Sequence, residues 1–242
     1  MDMTRTRSAP AAPSVTAAST AWRNALAITL LGIVVAGLGC FVWLAGYLRP
    51  RFDLFHAAAW LQVGFTVALV IILAVIVAWQ RARGLSLADL GWRRPTTRLA
   101  LALSIAFAVA YLYGSYFGAR YVLPGVDVLE MNWVRIALIP LGVFMAVGEE
   151  TMMRGFFMTE LHRARVPTWI QIFASGACSA SYHSLQNLSW VGFLPSFVLF
   201  SLHAGLYVLG KRSLTPTILA HGAYHVFGEP YIIMMILATM KA

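Results

Sequence analysis

From residue 54 to residue 79 the chain runs without a single Asp, Glu, Lys or Arg. About twenty apolar residues cross the hydrocarbon of a bilayer as helix. In lipid, each backbone N–H and C=O must be bonded within its own segment or a closed barrel, so such a run folds as a membrane helix. Seven further hydrophobic runs, at 25–48, 99–118, 133–161, 168–182, 191–209, 214–227 and 231–240, are separated by short polar or basic stretches. The whole chain is 60% hydrophobic and 11% charged, whereas a soluble domain carries about a quarter charged residues. The expected fold is an all-α polytopic bundle of about eight transmembrane helices around a polar intramembrane cavity. A tail over 1–22, rich in Ala, Ser, Thr and Pro, is expected to be disordered. Residues 23–242 then form a single transmembrane domain with its core at about 133–227.

The net charge is +9. The positive residues sit in short loops between apolar runs, which is the positive-inside pattern of membrane proteins and not a nucleic-acid surface. If the helices alternate, the N-terminal tail, the 80–98 loop, the 162–167 loop and Lys211-Arg212 share one side. That side is expected to be cytoplasmic, with both termini on it, in a multi-pass cell-membrane protein. Leu85, Leu87, Leu90 and Trp92, within the 80–98 loop, are expected on the membrane surface. Cys40 and Cys178 fall in different apolar runs without metal-ligand spacing, and read as small buried hydrophobes.

Glu149 and Glu150 interrupt the fourth run. A charge at bilayer depth costs roughly 2.5–3.5 kcal/mol on insertion scales, so an ionisable residue there is a functional candidate. Glu150 and Arg154 lie four apart on one helix face and can form an ion pair. Glu149 lies about 100° round the helix from Glu150. It is free to take up and release protons while Arg154 holds its neighbour ionised. His183 closes the fifth run. His221 and His225, four apart, point from one helix face, and this spacing aims two imidazoles at one ion in zinc sites. The same pair also fits a hydrogen-bonded contact in a packed bundle. His203 has no evident partner and reads as structural. No Ser or Cys of triad type accompanies these residues, so water activated by Glu149, with or without a metal, is the natural nucleophile. Counting about 1.5 Å per residue puts Glu149 and His221 toward the cytoplasmic half and His183 deeper. A tilted or displaced fifth helix is expected to reconcile them.

The order Glu149-Glu150-x-x-x-Arg154, then His183, then Thr215-Pro216-Thr217-Ile218-Leu219-Ala220-His221 resembles the CAAX prenyl endopeptidase and bacteriocin-processing (CPBP, or Abi) family of intramembrane glutamic or metallo-proteases. The likeness runs from about Val143 to Phe227. It implies that Glu149 activates water with His183 assisting, and that His221 and the residue four later stabilise an oxyanion. Two positions depart from the pattern. Ser179 stands for the phenylalanine of the histidine motif, and His225 for an asparagine. A histidine there can donate to an oxyanion, and it can also ligate a divalent metal such as zinc; the possible ligands are Glu149, His183, His221 and His225. The expected partners are the lipid bilayer and a peptide or membrane-anchored protein substrate, with no nucleic acid. Two other readings remain open: a non-catalytic immunity or scaffold protein that binds a peptide, and an enzyme acting on an isoprenoid or lipid.

Overall fold

A computed structural model describes the backbone of residues 15–94, 97–187 and 192–239, and the side chains of 22–94, 97–185 and 192–239. Among these residues there are eight helices and no strand: α1 (15–48), α2 (Leu54–Ala82), α3 (Arg98–Val122), α4 (Trp133–Arg163), α5 (Thr168–Asn187), α6 (Phe193–Leu209), α7 (Thr215–Gly228) and α8 (Tyr231–Thr239). Each corresponds to one apolar run of the sequence. Four of them, in α1, α2, α3 and α4, are long and apolar enough to cross a membrane, and α6 is apolar but shorter. The other three are too polar (α5) or too short (α7, α8).

The boundaries follow local chemistry. Asp53 starts α2 by accepting from the His56 amide at 3.0 Å, and Asn132 starts α4 by accepting from the Arg135 amide at 3.0 Å. The Asp53 carboxyl is held below its usual range, first by that backbone N–H and then by the His56 ring. Two differences from expectation have plain causes. Helix α1 already begins at Val15, inside the stretch expected to be a disordered tail; residues 15–22 hold three alanines and no Gly or Pro. The expected tail over 1–14 lies outside the described residues. Helix α5 continues past His183 to Asn187, where a polar turn was expected from Ser184, because no Gly or Pro interrupts that stretch.

Helix α4 is the centre of the molecule. It packs on α2 along one side and on α7 along another, while α3 covers α7 and α5 pairs with α6. Its middle, Thr151–Met158, is wound as π-helix and is wholly buried; such wide turns recur at functional sites. Glycine makes two of its close approaches possible. A Cβ on Gly142 would lie 3.0 Å from the His225 carbonyl oxygen, and one on Gly155 would lie 2.5 Å from the Leu90 carbonyl oxygen. Leu90 is fully buried and lies against Gly155 of the π segment, in contrast to the membrane-surface position expected of it.

The basic loops meet at one end of the bundle. Arg93 donates to the Lys211 carbonyl at 2.8 Å, Arg212 donates to Gln171 at 2.7 Å, and Arg163 lies 3.5 Å from Asp89. Beneath them Glu160, 1% exposed, is held by Arg83 at 2.9 Å and Arg163 at 2.5 Å. The Asp89 carboxyl is lowered by its bonds from the Ser86 hydroxyl and amide.

Candidate active site

Six residues singled out in the sequence converge. Glu149, Glu150 and Arg154 come from α4, His183 from α5, and His221 and His225 from α7. The levels agree along α4 and α5. Glu149 lies 14 residues before Arg163, and His183 lies 15 residues after Thr168, about 21 and 22 Å from the basic end of each helix. The first residues of α7 lie beside Gly155, since a Cβ there would meet the Leu214 side chain at 3.2 Å. Two turns further along, His221 reaches the same depth. The three helices thus bring the six residues to one level.

Glu150 is the hub. One of its oxygens, Oε1, accepts from Arg154 at 3.2 Å and faces His221 Nδ1 at 2.9 Å and His203 Nδ1 at 3.3 Å. Arg154 also donates to the Phe200 carbonyl at 2.9 Å, which ties α4 to α6. Every member of this set is buried. A buried ion pair is tolerated only when its remaining hydrogen-bonding capacity is met, and here two imidazoles and a carbonyl supply much of it.

Glu149 points elsewhere, as the turn between neighbours requires. Its Oε2 lies 3.7 Å from His221 Nε2 and 3.9 Å from His183 Nε2, and its Oε1 accepts from the Tyr182 hydroxyl at 3.4 Å. The His183 ring stacks on Phe200, with centroids 4.5 Å apart and planes 8° apart, so its direction is fixed. Glu149, His183, Tyr224, His225 and Glu229 line a cavity of about 30 Å³. A single water needs about 10–15 Å³ by this measure.

On α7 the two histidines face each other, with Nε2 to Nε2 at 3.1 Å. His225 Nδ1 meets Glu229 Oε1 at 3.3 Å. Donor atoms of Glu149, His221 and His225 all lie within 4.8 Å of one another, as do those of Glu150, His203 and His221. The first trio suits a divalent metal better. Two imidazole nitrogens on one tetrahedral zinc are about 3.3 Å apart, close to the observed spacing, and each ring has a carboxylate on its other nitrogen, the arrangement that orients metal-bound histidines. The second trio has Arg154 on its carboxylate, a cation where a metal would sit. His183, a candidate ligand in the sequence, belongs to neither trio.

Two neighbours were missed in the sequence. His203 was assigned a structural role, yet it meets Glu150; an ionisable residue in an apolar helix was the available signal. Glu229 was not singled out, although it continues the series 221, 225, 229 at four-residue spacing.

The class is thus an all-helical protein of membrane type with a buried carboxylate–histidine cluster. Residues 131–227 match the model of the family described as type II CAAX prenyl endopeptidase Rce1-like. That match covers the cluster except Glu229 and supports placing the chain in the CAAX-protease (CPBP) family. No curated protein and no solved structure matches the chain.

Proposed function

We propose that this protein is an intramembrane endopeptidase that hydrolyses a peptide bond in a membrane-associated protein or peptide, with Glu149 activating water. The observation that carries the reading is the split between two adjacent carboxylates. Arg154 occupies Glu150, while Glu149 faces a water-sized cavity beside His183 and His225. In this mechanism Glu149 takes a proton from water as the oxygen attacks the scissile carbonyl. His183 orients that water. His225, carrying a proton on both ring nitrogens, donates from Nε2 to the oxyanion that forms. Glu149 then returns the proton to the leaving amine as the carbon–nitrogen bond breaks, giving one acid and one amine. Replacing Glu149 with Gln in the purified protein and following cleavage of membrane-anchored peptides by mass spectrometry tests this. Undiminished turnover would overturn it.

A second reading adds a metal to the same site. Glu149, His221 and His225 would hold it, with Glu150 and Glu229 fixing the two rings, and the paired Nε2 atoms favour it. A bound zinc supplies an acidified water and polarises a carbonyl. The membrane placement belongs to the same proposal: a multi-pass cell-membrane protein whose basic end and both termini face the cytoplasm. The gathering of Arg93, Arg163, Arg212 and Lys211 at one end supports it. Trp133 and Tyr121, more than 80% exposed, lie where an aromatic belt would lie at the opposite face.

A further inference from the structure

We propose that Glu229 is a positioning residue of this site, fixing the His225 ring so that its Nε2 faces the cavity. The inference rests on the hydrolytic reading above and adds a residue that lies just past the family-matched segment. Glu229 is 3% exposed and lines the same cavity as Glu149 and His225. Its two oxygens have separate uses. Oε1 meets His225 Nδ1 at 3.3 Å, and Oε2 accepts from the Ile233 amide in the first turn of α8 at 3.2 Å. An ionised carboxylate only accepts, so the first contact requires a proton on Nδ1. The opposite nitrogen is thereby committed to His221, at 3.1 Å, and to the cavity.

This explains how a histidine can stand at position 225. The related motif has an asparagine there, a shorter side chain. An imidazole can turn about its Cβ–Cγ bond, and one fixed contact at Nδ1 removes that freedom. Glu229, the residue that closes α7, delivers the anchor from four positions past His225. The rival explanation is that Glu229 only caps α8 through Ile233.

Glu229→Gln separates the two. Glutamine keeps an acceptor for the Ile233 amide but offers an NH₂ to His225, reversing the polarity of that contact; Glu229→Asp, one carbon shorter, serves as a second variant. The full chain in detergent, with ¹⁵N-labelled histidine and His225→Gln for assignment, is read by ¹⁵N NMR at one fixed pH. The expected result is a protonated Nδ1 on His225 in the parent and an unprotonated Nδ1 in Glu229→Gln. In peptide cleavage kcat should fall about 10–100-fold with KM within about twofold, and Glu229→Asp should recover part of it. An unchanged His225 signal, or an unchanged kcat, overturns the proposal and leaves Glu229 as a cap. A shifted signal in Glu229→Gln together with full activity in Glu149→Gln would retain the His225 geometry and sink the hydrolytic reading instead.

Discussion

His221 touches both members of the glutamate pair, with Nδ1 2.9 Å from Glu150 and Nε2 3.7 Å from Glu149. One imidazole therefore stands between a carboxylate already neutralised by Arg154 and one that is not. The two glutamates are adjacent in the chain but opposite in consequence. Replacing Glu149 with Gln should lower peptide cleavage by roughly 10²–10⁴-fold, the usual contribution of a general base. It should leave the melting temperature in detergent almost unchanged, because Arg154 pairs with Glu150 and the glutamine oxygen can still accept from the Tyr182 hydroxyl.

Glu150→Gln should behave in the reverse sense. It strands the Arg154 guanidinium, 1% exposed, without its countercharge. Breaking a buried pair from one side costs about 3–5 kcal/mol. The measurement is thermal or denaturant unfolding of the purified protein. A variant as stable as the parent would mean that Arg154 is neutralised elsewhere.

Much of this was legible beforehand, for physical reasons. Apolar runs long enough to span lipid fixed the helices, and buried charge pointed to Glu149 and Glu150. Depth was not legible because Leu214, at the start of α7, packs against Gly155, well inward of Arg163 on α4, and no residue count records that contact. His203 stayed hidden since its partner, Glu150, lies 53 positions away; only packing brings α6 against α4. The π-wound segment after Glu150 left no periodic trace in eight residues that are buried all round.

His203→Phe tests that hidden contact. Phenylalanine fills the space beside Phe107, whose ring meets His203 edge-on at 4.8 Å, but it cannot bond Glu150. Loss of one partner from a buried acceptor costs about 1–3 kcal/mol. Stability should fall by that amount, and turnover should fall with it as the Glu150–His221 contact loosens. A fully active, fully stable variant would make His203 a packing residue after all.

Gly142→Ala probes the spacing of α4 and α7. The new methyl would press on the His225 carbonyl at 3.0 Å, and overpacking of this kind costs about 1–3 kcal/mol. Since the displaced backbone carries His225, kcat should drop further than the stability change alone explains. Gly39→Ala on α1, where an added Cβ meets nothing, is the control and should be silent in both assays.

Metal removal distinguishes the two forms of the mechanism. If His221 and His225 hold an ion through their facing Nε2 atoms, dialysis against a chelator abolishes cleavage and zinc restores it. Cobalt added to the stripped protein should then give the absorption of a tetrahedral site. His225→Asn, which restores the amide of the related motif, should weaken that cobalt binding more than tenfold, since a ligand is lost and not merely reoriented. Cleavage indifferent to the chelator, with no cobalt spectrum, sinks the ligation. In that case the 3.1 Å contact between the two rings is a hydrogen bond, with one ring protonated on both nitrogens, and that ring is the donor that faces the oxyanion. His225→Asn should then keep substantial activity, because an asparagine amide can donate from the same turn of α7.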